Sequence, residues 1–167
     1  MLRTYFPQAK ESDVTTTLTA TRTLHLVDIE NLVGDPKAPT VVVLDVLDRY
    51  LDVAGHRDGD HVVIAANPGL MAKVAFDLPV PCNVHAARGE NGADLVLLAQ
   101  AEPSRVAARY DRLVIGSGDG AFADVAIAVR DLDTPVVVVA QPGCMSNRLL
   151  GAALGIRALG ATVTLAA

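Results

Sequence analysis

Residues Leu113–Arg130 read LVIGSGDGAFADVAIAVR, and this stretch decides the fold. Its first three residues are apolar and predict a buried strand that enters the glycine-rich loop GSGDG. Apolar residues then recur at helical spacing and predict an amphipathic helix. Its apolar face consists of Phe122, Val125, Val129 and Leu132. Asp119 therefore lies between a strand's carboxyl end and a helix, where open α/β sheets bind ligands. A carboxylate at this place can cap the helix or bind a metal ion.

Length and composition indicate one domain with an aliphatic core. The chain has 167 residues, of which 51% are hydrophobic and only 4% aromatic. This length suffices for a full core, and such a composition is typical of parallel sheets covered by helices on both faces. The formal net charge of −5 argues against a broad phosphate-tracking surface, but it is compatible with a local basic rim around an acidic site.

Cysteine usage, hydropathy and the amino end favour a reduced, cytoplasmic setting. Cys82 and Cys144 lie far apart without the spacing of a disulfide framework. No apolar run reaches the roughly 18 residues of a membrane span. Residues 1–22 are polar, contain no signal-peptide core and predict an N-terminal arm or mobile leader. We therefore expect a cytoplasmic protein without a membrane partner.

Strands and helices alternate along the rest of the chain. We predict strands at 23–29, 61–66, 80–86, 112–115, 135–140 and 161–165. We predict a helix that Thr40 caps and Gly55 ends, and another that runs from the GSGDG loop to Leu132. We predict further helices at 69–76, 91–102, 104–110 and 146–154. This alternation predicts right-handed crossovers and a doubly wound, mostly parallel sheet.

Acidic and amide side chains follow the strands of this predicted sheet. Asp28 and Asn31 end the first strand, Asp119 follows the strand at 112–115, and Asp94 lies early in the helix at 91–102. Because the carboxyl ends of parallel strands meet at one edge, we expect these residues to share a crevice.

A crevice with several carboxylates favours a bound cation. Two carboxylates about 5 Å apart repel by roughly 3 kcal/mol at an effective dielectric near 20. A proton or a cation relieves this repulsion, and oxygen ligands suit Mg²⁺ or Mn²⁺. Such an ion can polarise a phosphoryl oxygen and activate a water for attack on a phosphodiester. The neutral amide of Asn31 could orient that water or the phosphate.

Each acid also has a structural interpretation. Asp28 can cap the turn after its strand, and Asp119 can cap the helix after its loop. Asn91 and Asp94 have a spacing that resembles a capping box. Asp124 is predicted to be a solvated first-turn acid on the opposite face of its helix.

The GSGDG loop also fits the dinucleotide fingerprint. Gly116, Gly118 and Ala121 satisfy the pattern G-x-G-x-x-A between a strand and a helix. However, Asp119 would place a negative charge against a pyrophosphate that needs N–H donors. Gln141 stands where an acidic ribose partner is expected. These two residues make dinucleotide binding the weaker alternative.

The sequence contains three distinctive blocks, which read HLVDIENLVG, GENGADLVLLAQ and RLVIGSGDGAF. In order and spacing they resemble the signature blocks of the NYN domain, a branch of the PIN-like nucleases. The resemblance covers residues 23–165. It implies a PIN-like three-layer α/β/α sandwich with a central parallel sheet and a Mg²⁺- or Mn²⁺-dependent ribonuclease site. By position it assigns Asp28, Asn31, Asp94 and Asp119 to the catalytic set, with the three aspartates as metal ligands.

The sequence departs from this family pattern at one acid. The family commonly has S-G-D-x-D-F, whereas this chain has Ala121 in place of the second aspartate. Asp124 is nearby but is predicted on a different helix face, so it is not a replacement. We therefore expect a single metal ion, held mainly by Asp119 and Asp28.

Two functions are consistent with these observations. The first is a metal-dependent ribonuclease acting on single-stranded or structured RNA, with Ser117, Arg88 and Arg148 as substrate contacts and a second copy of the chain as a further partner. The second is a non-catalytic RNA- or protein-binding module with a degenerate acidic site. The three side chains proposed to contact substrate can instead be a loop hydroxyl and two solvated arginines. The two functions differ in whether the three aspartates converge within reach of a metal ion.

Overall fold

The fold is built on a parallel sheet of six strands. A computed structural model describes residues 21–160 of the chain. The strands are β1 (Thr23–Asp28), β2 (His61–Ala66), β3 (Asn83–Ala86), β4 (Arg112–Gly116), β5 (Val136–Ala140) and β6 (Gly155–Ala158). They lie in the order β3-β2-β1-β4-β5-β6, and every neighbouring pair is parallel. The chain runs outward in opposite directions from β1 and β4, so the gap beyond their carboxyl ends is a topological switch point.

Helices cover both faces of this sheet. They are α1 (Ile29–Val33), α2 (Thr40–Ala54), α3 (Pro68–Val74), α4 (Gly92–Gln100), α5 (Pro103–Arg109), α6 (Ala123–Arg130) and α7 (Asn147–Ala152), with a 3₁₀ turn at Gly120–Phe122. The first three helices pack on one apolar cluster and the last four on another. The predicted three-layer α/β/α sandwich with a parallel, doubly wound sheet is therefore confirmed.

Alternation along β1 shows how the two cores form. Leu24 and Leu26 are buried in the cluster shared with α4–α7, whereas Val27 is buried in the cluster shared with α1–α3. Successive strand residues point to opposite faces, and both faces are covered, so all six residues of the strand are buried. Asp28 lies two residues after Leu26 and so belongs to the α4 side of the sheet.

A buried polar network lies at the opposite, amino end of the sheet. His25 is fully buried, with Nδ1 3.1 Å from the hydroxyl of Tyr50 and Nε2 3.4 Å from Oδ2 of Asp60. Burial lowers the pKa of His25 to about 4, although Asp60 opposes this effect. The imidazole is therefore neutral near pH 7 and packs as part of the core.

The helix predicted to begin at Thr40 is confirmed, but its predicted cap is wrong. Pro39 occupies the capping position, and no side chain accepts a hydrogen bond from the first turn. The other end is as predicted, because Gly55 adopts a φ of +69° that glycine tolerates best. The helix after the GSGDG loop ends at Arg130, so Leu132 is exposed instead of lying on the packed face.

Two predicted elements lie at the ends of the chain. The strand predicted at 161–165 lies outside the described residues, and so does the predicted arm apart from residues 21 and 22. The structure has β6 at Gly155–Ala158, where the sequence predicts no strand. No helix within residues 21–160 is long and apolar enough to cross a membrane.

Candidate active site

Asp28 ends β1 and also caps α1. Its Oδ1 accepts a hydrogen bond of 3.2 Å from the backbone N–H of Asn31, so the predicted capping role is present. The side chain is nevertheless only 6% exposed and contributes to a cavity against α4. A cap alone does not require such burial, because most capping side chains lie at the surface.

Asp94 lies in the first turn of α4 and meets Asp28 across this cavity. It is 8% exposed, and its carboxyl group lies close enough to that of Asp28 for each to affect the pKa of the other. Its Oδ1 is buried and has no hydrogen-bond partner. The capping-box interpretation is wrong, because Asn91 has a φ of +60° and its side chain makes no cap hydrogen bond.

The Asp28–Asp94 pair has an unusual electrostatic state. Burial raises the pKa of Asp28 from 3.8 to about 7, helped by the charge and hydrogen bond of Asp94 and opposed by the N–H of Asn31. Burial also raises the pKa of Asp94, and the charge of Asp119 adds to this effect. The two carboxyl groups therefore resist ionising together near neutral pH.

Asp119 follows β4 and is fixed by its own loop. Its Oδ1 accepts a hydrogen bond of 2.8 Å from the N–H of Ala121, so this predicted cap is also present. Asn31 holds the same loop, since its Oδ1 accepts a 2.8 Å bond from the N–H of Gly118. Asn31 thus ties the end of β1 to the loop after β4, and its amide oxygen serves this purpose.

The packing around position 118 explains why the loop needs a glycine there. A Cβ at this position would overlap the carbonyl oxygen of Cys144, and the carbonyl of Gly118 accepts a 2.9 Å bond from the N–H of Ser146. Ser117 is fully buried, and its Oγ accepts a bond of 3.2 Å from the N–H of Asp119. The loop is therefore packed between α1 and the segment before α7.

These contacts also explain the dinucleotide-like pattern. The N–H groups of Gly118, Asp119 and Ala121 all donate within the protein, so they are not available to a pyrophosphate. A Cβ at Gly116 would lie 2.6 Å from the ring of Tyr50. The glycines of this fingerprint are thus explained by packing.

A cavity of about 140 Å³ lies beside the acidic pair. It is lined by Asp28, Glu30, Asn67, Ala87, Gly89, Asn91, Gly92, Ala93 and Asp94. Glu30 is a residue to which the sequence gives no face, and Asn67 is one that it does not single out. The carboxylate of Glu30 accepts a hydrogen bond from the N–H of Asn67, the residue that caps α3. The sequence signal for Glu30 is its place in the first turn after a strand-end aspartate.

The two predicted substrate arginines lie in different surroundings. Arg88 is exposed and lies between Ala87 and Gly89, which both line the cavity. Arg148 is exposed at the start of α7 and pairs with Asp124 at 2.8 Å. Asp124 is itself 82% exposed at its side chain, as predicted.

The aspartates are brought together only in part. Asp28 and Asp94 lie close enough to affect each other's pKa, and the charge of Asp119 also affects Asp94. Within residues 21–160, no three His, Cys, Asp or Glu side chains are already positioned to hold a metal ion. The unpartnered Oδ1 of Asp94 still fits a cation, because a buried carboxylate oxygen without a donor is costly. Oxygen donors of this kind suit Mg²⁺ or Mn²⁺.

The chain is similar in structure to a protein of unknown function from Vibrio parahaemolyticus RIMD 2210633. The TM-score is 0.60 at 16% sequence identity, and the match covers 84% of this chain and 93% of that chain. The chain matches no protein-family model, and no curated protein resembles it in sequence. At this identity the likeness shows a shared fold.

Proposed function

We propose that this protein is a metal-dependent ribonuclease that cleaves or processes RNA phosphodiester bonds. The observation that carries the proposal is the buried Asp28–Asp94 pair with an unpartnered carboxylate oxygen. Asp28 ends β1, one of the two strands that flank the switch point of the parallel sheet, where ligands bind in such folds. Perturbed carboxyl pKa values in a cleft are typical of functional sites.

The proposed ligands are Asp28, Asp94 and Asp119, with Mg²⁺ or Mn²⁺ as the ion. When bound, such an ion polarises a phosphoryl oxygen and lowers the pKa of a water. The N–H of Asn31 orients Asp28, and the side chain of Asn31 fixes the loop that carries Asp119. Because burial raises the pKa of both Asp28 and Asp94, each must lose its proton before both carboxylates can bind a cation.

RNA as the substrate class rests on the resemblance of three sequence blocks to the NYN domain. Arg88 at the cavity rim and Arg148 on α7 are the proposed phosphate contacts. Ser117 is buried in the loop, so its proposed contact requires the loop to move. We infer a cytoplasmic location, because Cys82 and Cys144 are both free thiols. A second copy of the chain is the other expected partner.

A non-catalytic RNA- or protein-binding module is the second candidate. Two observations favour it: Ala121 replaces an acid of the family pattern, and no three acids are already positioned around a metal ion within residues 21–160. In that case Asp28 and Asp119 would serve as caps only.

The deciding experiment is cleavage of labelled single-stranded and hairpin RNAs with and without Mn²⁺. We expect metal-dependent cleavage by the natural protein and its loss in Asp94→Asn. Asp48→Asn is the matched control, because Asp48 is an exposed aspartate on α2. RNA binding without cleavage in any metal would favour the binding module.

A further inference from the structure

The connection between α3 and β3 is unusually apolar for a surface segment. Residues 75–84 read AFDLPVPCNV, in which only Asp77 and Asn83 are polar. Phe76 is 97% exposed, more than any other large apolar residue within residues 21–160. Exposed apolar patches of this kind mark interaction surfaces, because single exposed apolar residues are ordinary but contiguous ones are not.

A groove of about 390 Å³ lies beside Phe76. Eight residues of the 75–84 segment line it, and all eight are apolar. Val84, one of the eight, is next to Ile64 in the sheet register, and Ile64 belongs to the apolar cluster packed by α1–α3. Val84 and the groove therefore lie on the α3 side of the sheet.

β3 also presents an open edge. It is the first strand in the sheet order, and no strand within residues 21–160 pairs with its outer side. The N–H of Ala87 donates to the carbonyl oxygen of Ala66 at 2.9 Å, so the backbone of Ala87 points towards β2. Because alternate residues of a parallel strand direct their backbone groups to the same side, those of Val84 and Ala86 point away from β2. Such an edge is a template for a further strand.

The surface formed by residues 73–86, which we call the β3-edge surface, is self-complementary. A two-fold dimer requires one patch to supply both halves of every contact. Two β3 strands paired antiparallel would exchange backbone hydrogen bonds between Val84 of one copy and Ala86 of the other. The two-fold axis would then be perpendicular to the sheet, so the α3 sides of both copies would meet and cover Phe76 and the groove.

The charges of the β3-edge surface also favour a second copy. Lys73 and Asp77 are exposed, and neither forms a salt bridge with another residue of the range 21–160. They are the only residues of this surface among Asp, Glu, Lys and Arg, so their charges sum to zero, whereas the whole chain carries a formal net charge of −5. An identical surface is therefore not repelled here, and the lysine of one copy can attract the aspartate of the other.

We propose that the β3-edge surface binds a second copy of this chain, by antiparallel pairing of the two β3 strands and burial of Phe76. The inference rests on the proposed function only in that a second copy is a partner expected there, and it uses no residue of the acidic site. Burying a phenylalanine removes about 150–250 Å² from water. Phe76 alone would thus supply a large part of the roughly 800 Å² that each partner buries in a standard interface.

The first test is sedimentation velocity of the full chain over a range of concentrations, without RNA and without added metal. We expect a dimer for the natural protein and a dimer Kd that is about tenfold or more higher for Phe76→Ser. The matched control is Leu154→Ser, because Leu154 is 66% exposed and lies just before β6, at the other edge of the sheet. Its dimer Kd should change by less than about twofold. Both side chains are exposed, and equal thermal unfolding of both variants at low concentration excludes a folding defect.

The second test is disulfide cross-linking in a chain that carries Cys82→Ser and Cys144→Ser. In the proposed pairing, His85 lies opposite His85 of the other copy in a non-hydrogen-bonded pair, with Cα atoms about 4.5 Å apart. This distance is within the range of disulfide bonds, so His85→Cys should give a covalent dimer on mild oxidation. Ala108→Cys is the control, because Ala108 is exposed on α5.

The results separate this inference from the proposed function. The inference is overturned if the natural protein stays a monomer, or if Phe76→Ser dimerises as tightly as the natural protein. A dimer that Leu154→Ser weakens more than Phe76→Ser would place the interface at the β6 edge instead. If His85→Cys cross-links no faster than Ala108→Cys, antiparallel β3 pairing is refuted. A dimer that fails to cleave RNA would contradict only the proposed nuclease, and cleavage by a monomer would contradict only the dimer.

Discussion

Replacing Asp28 by Asn should stabilise the metal-free protein at alkaline pH. The pKa of Asp28 rises from 3.8 to about 7 on folding. That difference corresponds to roughly 4 kcal/mol, at about 1.4 kcal/mol per tenfold change in the proton affinity. Because the folded state holds the proton more tightly than the unfolded state, stability decreases as the pH rises from about 4 to about 7. Above pH 7 the natural protein therefore carries the full loss of stability from ionised Asp28. Asn has no charge, so Asp28→Asn avoids this loss.

The expected gain in stability from Asp28→Asn differs between pH 5 and pH 8. At pH 8 we expect Asp28→Asn to raise the free energy of unfolding by roughly 3–4 kcal/mol, and at pH 5 by only about 1–2 kcal/mol. The substituted side chain keeps an oxygen for the N–H of Asn31 and gains an N–H₂ that can donate to Asp94. The gain in stability should therefore increase by roughly 2–3 kcal/mol between the two pH values.

Urea unfolding of both proteins in EDTA at pH 5 and pH 8 measures this difference. The comparison between proteins is needed because His25 acts in the opposite direction. Its pKa falls to about 4 on folding, so its contribution to stability is lost as the pH falls below about 6.5. This contribution is common to both proteins and cancels in the difference. The reasoning is refuted if Asp28→Asn has the same effect at both pH values, or is less stable than the natural protein at pH 8.

At pH 8, Mn²⁺ should remove most of the stability advantage of Asp28→Asn over the natural protein. A ligand at about 100 times its Kd stabilises the folded state by about 2.7 kcal/mol, and Asp28→Asn should lose most of that gain. Asp48→Asn, on the exposed face of α2, should follow the natural protein in every condition.

Three further predictions concern the loop, the rim and the lost acid. Gly118→Ala should lower the free energy of unfolding, measured by urea denaturation, by about 1–3 kcal/mol, because the added Cβ overlaps a neighbouring carbonyl. The control is Gly151→Ala, where the added Cβ meets open space, so this substitution should be neutral or stabilising. Charge reversal of both Arg88 and Arg148 should weaken RNA binding and flatten its dependence on salt, and an unchanged slope in a fluorescence-anisotropy titration would make them solvated side chains. Ala121→Asp should increase the rate of Mn²⁺-dependent cleavage if the lost acid still limits the reaction, and an equal rate in a single-turnover assay would contradict this.

Most of the sheet could be predicted because its strands are buried on both faces. Such strands are continuous apolar runs, as in Val136–Ala140, and the run is visible without any structure. The helix α2 could be predicted although it begins TVVVL, because its longer apolar period overrules the local preference for a strand. The edge strand Gly155–Ala158 could not, since it is short and largely exposed and shows neither pattern.

The predicted parallel topology was sufficient to bring Asp28 and Asp94 together at one edge. It could not assign Glu30, because a five-residue helix has no apolar period from which a face can be read. Where Glu30 points depends on the approach of Asn67 after β2, which is a tertiary contact. The pattern Asn91-x-x-Asp94 was misleading for a related reason, since Asn91 takes a left-handed backbone that removes its side chain from the helix start.

A carboxylate that caps a helix can also bind a metal ion. Asp28 and Asp119 each use Oδ1 to accept a backbone N–H, so each is a cap in the ordinary sense. Such a bond uses one oxygen and fixes the plane of the carboxylate, which leaves the other oxygen in a defined direction. Asp94 has no cap bond, is almost fully buried and retains an unpartnered oxygen. Helix capping explains Asp28 and Asp119 but not Asp94, so Asp94 is the most informative of the three carboxylates. Asp94→Asn should therefore distinguish a nuclease from a non-catalytic module in which the aspartates only cap helices.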